Sequence, residues 1–128
     1  MKYNYDDKRR CEIIGISYPP EYFGGCQHFI DLTLSQLNSL LDEGFIDPEE
    51  RQNCAPDTME FKAFLDKYPE ATLHGYIITP DRGDYRVTIE GLEYHGDVSR
   101  EMLNDFIDTF RTADDFTQSQ EHLYCWFD

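Results

Sequence analysis

The clearest structural signal in this sequence is a β-hairpin predicted for residues 72–92, which read TLHGYIITPDRGDYRVTIEGL. Two runs rich in β-branched and aromatic residues, 72–79 and 84–92, flank the segment Pro80-Asp81-Arg82-Gly83. Proline, aspartate and glycine in such a segment are typical of a turn between strands. The sequence therefore predicts two antiparallel neighbouring strands at the centre of the fold.

The register of this hairpin is predicted from the way it sorts apolar and polar side chains. If Thr79 lies opposite Asp84, one face is mostly apolar and comprises His74, Tyr76, Ile78, Tyr85, Val87 and Ile89. The other face is wetter and comprises Ile77, Arg86, Thr88 and Glu90. Because side chains alternate along a strand, a slip of one residue would break this sorting. The sorting therefore predicts this particular pairing.

Strands are also predicted near both ends of the chain. Residues 11–18 are rich in β-branched residues and stop at Pro19-Pro20, so we expect a strand there and a loop over residues 21–28. Residues 122–128 are apolar on both sides of a strand, which indicates that the last strand is covered rather than left at an exposed edge. Together with the hairpin, these strands predict a small, mainly antiparallel sheet.

Two helices are predicted from capping boxes, in which a side chain before the helix and one in its first turn bond each other's backbone. Thr33 with Gln36 begins the first, and Gly44 is expected just beyond its end. Asp57 with Glu60 begins the second. Each start is followed by apolar residues at helical spacing. Both segments are therefore predicted to pack one face against the core.

Two further helix starts are predicted, one after Asp47 and one at Ser99. Asp47 followed by Pro48 predicts a short helix that ends before Pro56. Ser99 is the predicted cap of a last helix with an apolar stripe. The sequence thus predicts three or four helices in all.

These elements predict a single α+β domain over residues 1–128, with the helices packed on the small sheet. The order helix, short helix, helix, hairpin also matches a winged-helix-like core, which is the alternative. A winged helix normally places its third helix in the major groove of DNA. Here that helix carries Asp57, Glu60 and Asp66 against two lysines. Because phosphate binding needs a basic surface, we expect no nucleic-acid partner.

The charge of the chain restricts its partners. It has 26 acidic and 11 basic side chains, a formal net charge of −15 over 128 residues, while 15% of the residues are aromatic. So many aromatic residues argue against a disordered acidic tail. A folded domain with this charge repels polyanions and attracts cationic partners.

The sequence also shows no membrane or export signal. No apolar run approaches the roughly 18–20 residues of a membrane span, and the start has no signal-peptide pattern. We therefore expect no membrane partner and a cytoplasmic location.

The spacing of cysteine and histidine predicts no metal site. The four cysteines form no CxxC pair, and Cys26-x-His28 is the only close Cys–His pair. His122 and Cys125 are three residues apart on a predicted strand, which puts them on opposite faces. No glycine-rich loop precedes a helix, as nucleotide binding would require. The sequence thus predicts no metal, no cofactor, and cysteines that are reduced and inert.

The first functional hypothesis is a non-enzymatic binding protein that sequesters or inhibits a basic protein partner, as immunity proteins and antitoxins inhibit nucleases. An acidic face gives such an inhibitor fast, salt-sensitive association with a surface built to hold phosphates. The predicted contact surface consists of acidic residues from two parts of the chain: Asp42, Glu43, Asp47, Glu49, Glu50, Glu101, Asp105 and Asp108.

Three alternatives remain. The first is a small hydrolase or ligand-binding domain with a pocket near His74, formed with Tyr76 and a neighbouring carboxylate. The second is a DNA mimic, which needs carboxylates spaced like phosphates along an extended surface. The third is an acidic composition that serves only solubility.

Overall fold

The computed structural model describes residues 1–19 and 24–128, so residues 21–23 of the loop predicted over residues 21–28 lie outside the described residues. The elements, in chain order, are α1 (Asp7–Ile14), β1 (Cys26–Leu32), α2 (Leu34–Asp42), α3 (Thr58–Lys67), β2 (Thr72–Ile78), β3 (Arg86–His95), α4 (Arg100–Phe110), β4 (Asp115–Gln118) and β5 (His122–Trp126). This is an α+β fold, as the sequence predicts. None of the helices in the described part of the chain is long and apolar enough to cross a membrane.

Within the described residues the five strands form one sheet in the order β1-β2-β3-β5-β4, and every neighbouring pair is antiparallel. β5 lies between β3 and β4, which confirms that the last strand is covered on both sides. β4 was not predicted, because only four residues form it and Phe116 is its one large apolar side chain. Pairing with β5, rather than local propensity, makes this segment a strand.

The core lies between the helices and one face of the sheet. Alternate strand residues such as Leu73, Ile77 and Leu92 join the same apolar cluster as helix residues such as Phe61 and Phe106. Alternation along each strand turns the intervening side chains to the opposite face. The helical layer therefore covers one face, and the other is left to carry polar and aromatic groups.

The predicted starts of α2 and α3 are confirmed. The Thr33 side chain accepts a hydrogen bond from the backbone of Gln36, whose side chain bonds back to Thr33, and Asp57 and Glu60 form the same reciprocal pair. Gly44 follows α2 with φ of +78°, a conformation that favours glycine. Ser99 caps α4 as predicted.

The strand predicted for residues 11–18 is wrong, because the first half of that segment, residues 11–14, belongs to α1 and the second half forms no strand. The Asp6 side chain caps this helix at Arg9, and Gly15 ends it in a left-handed conformation. Ile13 and Ile14, which suggested a strand, lie in the core as helix residues. The first strand is instead β1, which begins where a loop was expected. β-branched residues favour strands only weakly, so burial against the sheet decides their conformation.

The predicted hairpin register is wrong by one residue over residues 75–78 and by two residues at His74, which pairs with Gly91 beyond a bulge. Tyr76 pairs with Thr88 and Ile77 with Val87, so Ile77 and Val87 face the core. The sorting failed because the face opposite the core is also covered at this end: Tyr76 is buried there, and its hydroxyl donates to the side chain of Gln52. Where both faces are buried, polarity carries little information about register.

The short helix predicted after Asp47 is also wrong. The Asp47 side chain accepts a hydrogen bond from the backbone N–H of Glu49, which stabilises a turn instead of a helix start. The segment continues without helix and is tied to the start of α3 by a bond from the Thr58 backbone to the carbonyl of Glu50. Three acids of the predicted contact surface therefore lie in an irregular segment.

Candidate binding site

All four histidines of the chain lie on the face of the sheet opposite the helices, which we call the open face. His28 is on β1, His74 on β2, His95 on β3 and His122 on β5. The alternation that places apolar side chains in the core turns these imidazoles outward. The predicted placement of His74 on the apolar, core-facing side of the hairpin is therefore wrong, because that placement depended on the predicted register.

A cavity of about 270 Å³ opens on the open face between β1, β2, β3 and β5. Its lining includes three carboxylates and three rings: Asp31, Glu90, Glu93, His74, Tyr124 and Trp126. No lysine or arginine of the described chain is among its lining residues. The cavity is therefore acidic and aromatic, and no lysine or arginine of its described lining balances the charge of the carboxylates.

Glu90 is the most deeply buried of these carboxylates, with 7% of the residue exposed. It lies where the β2–β3 pairing shifts by one residue, so β3 has an extra residue there. One carboxylate oxygen accepts a hydrogen bond from the Trp126 indole N–H at 3.3 Å, and the other lies 3.4 Å from Nδ1 of His28. Among the described residues, no lysine or arginine forms an ion pair with Glu90. A carboxylate with so little water and so few partners favours an incoming cation.

His74 forms one wall of the cavity. Its ring stacks on Tyr124 with centroids 5.1 Å apart, and Nε2 lies 3.1 Å from the carbonyl oxygen of Cys125. Because a carbonyl only accepts, Nε2 carries the proton and Nδ1 of the neutral ring is an acceptor. Burial lowers the pKa of His74, against the opposing effects of the Cys125 carbonyl and Glu93. The imidazole is therefore held neutral and oriented.

Tyr76, expected beside His74 in a pocket, is not among the residues that line the cavity. Its hydroxyl donates to Gln52 and accepts from the guanidinium of Arg86. Glu50 lies 3.5 Å from the same guanidinium and accepts a hydrogen bond from Thr88. This end of the open face is thus closed by the segment that follows Asp47, and the carboxylates that line the cavity with His74 come from β1 and β3 instead.

A second polar cluster lies at the other end of β3. His95 pairs directly with His122 across β3 and β5, and their rings stack with centroids 4.3 Å apart. A carboxylate oxygen of Glu93 lies 2.8 Å from Nε2 of His122 and 3.3 Å from Nε2 of His95. The ligand atoms of the three residues all lie within 4.8 Å of one another. These are residues that could hold a metal ion.

The first group of acids in the predicted contact surface lies at the end of α2 and in the segment after it: Asp42, Glu43, Asp47, Glu49 and Glu50. Two of them already have cationic partners in the fold. Glu43 accepts two hydrogen bonds from Arg9, each 2.8 Å long, and Glu50 contacts Arg86. The other three form no ion pair within residues 1–19 and 24–128. The charge available to a partner is therefore smaller than the sequence suggests.

The second group, Glu101, Asp105 and Asp108, lies on α4. Lys67 of α3 lies 2.8 Å from carboxylate oxygens of both Glu101 and Asp105, and the Tyr68 hydroxyl also donates to Asp105. The hydrogen bond from Lys67, followed by that from Tyr68, lowers the pKa of Asp105. The lysine explains why two acids occur one turn apart on α4, a spacing that is unfavourable by itself. Each acidic group thus adjoins α3, which contacts both α2 and α4.

The residues that form the cavity were mostly missed by reasoning from the sequence. Glu90 was assigned to the wetter hairpin face, but nothing marked it as buried. Tyr124 and Trp126 were assigned to the last strand without a face. Their alternation with Leu123 and Cys125 was the available signal, because a covered strand with two aromatic residues on one side indicates a second apolar surface.

Comparison of the chain with protein-family models, with curated proteins and with solved structures finds no match.

Proposed function

We propose that this protein is a non-enzymatic acidic binding protein that sequesters or inhibits a basic protein partner, and that the cavity on the open face receives an arginine or lysine side chain of that partner. The observation that carries the proposal is the buried carboxylate of Glu90, which pairs with no lysine or arginine among the described residues and has the exposed imidazole of His28 as its basic neighbour. A cation from a partner would supply the charge that the fold does not.

The rings around Glu90 suit such a cation. Tyr124 and Trp126 line the same cavity, and an arginine or lysine attracted to the face of an aromatic ring gains additional binding energy. Glu93 and Asp31 supply further negative charge at the cavity. Buried aromatic and charged contacts of this kind are typical of the few residues that dominate an interface.

The acids of the helical side have a different role in this proposal. The net charge of −15 creates a field that draws a basic partner towards the protein. Asp42, Glu49 and Asp108 are exposed and form no ion pair among the described residues, so their charges contribute fully to this field. An inhibitor of the immunity-protein or antitoxin type works in this way. We place it in the cytoplasm, where thiols such as its four unpaired cysteines stay reduced.

One observation favours a second candidate, a small hydrolase or ligand-binding domain. His74 lines a cavity together with the β3 carboxylates, burial lowers its pKa, and its Nδ1 is an acceptor. A neutral, oriented imidazole is suited to act as a general base. The hydrolase candidate requires an uncharged or weakly polar ligand held near Nδ1, whereas the binding candidate requires a cation near Glu90.

The first experiment tests the cation site directly. Nα-acetyl-L-arginine methylamide is titrated into the protein while the indole N–H signal of Trp126 is followed by NMR, since the chain has one tryptophan. We expect saturable shifts with millimolar affinity, which Glu90→Gln weakens strongly. Glu49→Gln is the matched control because it removes one exposed charge away from the cavity. An unchanged Trp126 signal, or equal weakening by both variants, would contradict the proposed cation site.

The second experiment tests the partner. Wild-type protein, Glu90→Gln and the triple variant Asp42→Lys/Glu49→Lys/Asp108→Lys are used as bait in lysate at low and high salt, and bound proteins are identified by mass spectrometry. We expect the wild type to capture one basic protein that Glu90→Gln fails to capture. The same protein should associate more slowly with the triple variant than with the wild type. Capture of no basic protein by the wild type at low salt would contradict the binding role.

A further inference from the structure

We propose that Glu93, His95 and His122 form a binding site for a divalent transition-metal ion such as Zn²⁺. Two imidazole nitrogens and a carboxylate oxygen are the ligand types that Zn²⁺ takes in sites that keep positions open for water. This inference does not depend on Glu90, the residue that carries the proposed binding role, although Glu93 also lines the cavity of that role.

The backbone brings these three residues together without help from any loop. His95 and His122 are a directly opposed pair on β3 and β5, and Glu93 lies two residues from His95 on the same face. Opposed side chains on antiparallel strands lie close enough to contact. The sheet therefore fixes the positions from which all three side chains extend.

The side-chain atoms already converge on a common volume. Nε2 of His122 and Nε2 of His95 lie 2.8 Å and 3.3 Å from the same oxygen of Glu93. Zinc lies about 2.0–2.2 Å from nitrogen and oxygen ligands, which puts neighbouring ligand atoms a little over 3 Å apart in a tetrahedron. Small side-chain rotations are therefore enough to close the site around an ion.

The cluster is also accessible from solvent. The side chain of His95 is 70% exposed, and those of His122 and Glu93 are 33% and 31% exposed. An ion bound there would keep one or more water ligands, as three-ligand sites do. Such a site binds a metal without needing it to fold, because the strands are already paired through their backbones.

Cys26 and His28 offer a competing location. Sγ of Cys26 lies 3.9 Å from Nε2 of His28, whose Nδ1 faces Glu90, and both residues are exposed. Cys26 faces one ring nitrogen of His28 and Glu90 faces the other. A single ion bound to one nitrogen of this imidazole would therefore not reach both Cys26 and Glu90. Cys26 and His28 nevertheless provide matched control variants, since they remove a thiol or an imidazole from the same face of the sheet.

The test is isothermal titration of the untagged protein with ZnCl₂. We expect one ion per chain, with binding weakened at least about tenfold by His95→Ala, His122→Ala or Glu93→Gln, since each removes one of three ligands. Cys26→Ser and His28→Ala should leave the affinity unchanged. Co²⁺ provides a second readout, because its visible absorption should report nitrogen and oxygen ligands and disappear with His122→Ala.

Two results would overturn the proposal. One is a wild-type protein that binds no Zn²⁺; the other is binding that is lost with Cys26→Ser or His28→Ala and kept with His122→Ala. Circular dichroism of each apo variant checks that it is folded, and His122→Gln replaces His122→Ala if the latter is not. The arginine titration at Trp126 is run on the same His122 variant, so a failed metal site is distinguished from a failed cation site.

Discussion

The imidazole of His74 occupies the space that a side chain at position 91 would need, and that position is Gly91. A Cβ atom built on Gly91 would overlap both Nε2 of His74 and the backbone carbonyl of Cys125. The absence of a side chain therefore lets His74 reach across β3 and bond the carbonyl on β5, which forms one wall of the cavity.

Gly91→Ala should therefore lower the free energy of unfolding by about 2–3 kcal/mol, because the new methyl group overlaps atoms that cannot all move away. Urea denaturation measures this. Gly83→Ala is the matched control: a Cβ there meets no atom within 4 Å, and its φ is not positive. Equal effects of the two substitutions would show that His74 does not cross β3 in this way.

The stability of the protein should decrease as His74 becomes protonated. Burial lowers the pKa of His74 below its ordinary value of 6.5, so the unfolded chain takes up this proton at a higher pH than the folded protein. The stability contributed by the neutral imidazole is therefore present above pH 6.5 and is lost as the pH falls towards the folded-state pKa.

Urea denaturation of the wild type and of His74→Gln, between about pH 7.5 and about pH 5.5, measures this contribution. We expect a smaller pH dependence in the variant. An NMR titration of the His74 ring should give a pKa below that of an unfolded peptide, and a pKa at or above that value would contradict the environment described here.

Arg10 should be essential for the docking of α1. Its side chain is fully buried, donates to the carbonyls of Ile78 and Arg86, pairs with Asp7 and lies with its guanidinium carbon 4.0 Å from the ring centre of Tyr85. Arg10→Met leaves these acceptors without their donor, so it should lower the free energy of unfolding by about 3 kcal/mol.

Arg9→Met is the control for Arg10→Met. Arg9 is adjacent in sequence but exposed, and within the described residues it pairs with the surface carboxylates of Glu43 and Glu12. The midpoint of thermal unfolding should hardly change for Arg9→Met and should fall clearly for Arg10→Met. A reversed order would contradict the position of α1.

The cysteines should differ in their reactivity in the folded protein. Cys54 and Cys26 are exposed, whereas Cys125 is buried in the core and burial raises the pKa of its thiol to about 12. Iodoacetamide followed by peptide mass spectrometry should therefore modify Cys54 and Cys26 first and Cys125 only in urea. Early modification of Cys125 would show that β5 is not covered.

The elements with strong local signals could be predicted from the sequence, and those that depend on pairing could not. The capping residues of α2, α3 and α4 act within one turn of helix, so Thr33, Asp57 and Ser99 identified those starts correctly. The error in the hairpin register arose because the hydroxyl of Tyr76 is covered by Gln52, which is distant in sequence, and by Arg86 of the neighbouring strand. The isoleucines of α1 were misassigned and the short strand β4 was not predicted, because packing against distant segments decides their conformation as well.

The charge, the α+β class and the capped helices of this protein follow from its sequence alone, since composition and short-range hydrogen bonds need no partner strand. The two polar sites of the open face were decided by tertiary structure. Glu90 is buried beside Trp126, and His95 meets His122, only because β3 pairs with β5. Alternation along a strand shows which residues share a face of that strand. The order and register of the strands determine which side chains of neighbouring strands lie next to one another.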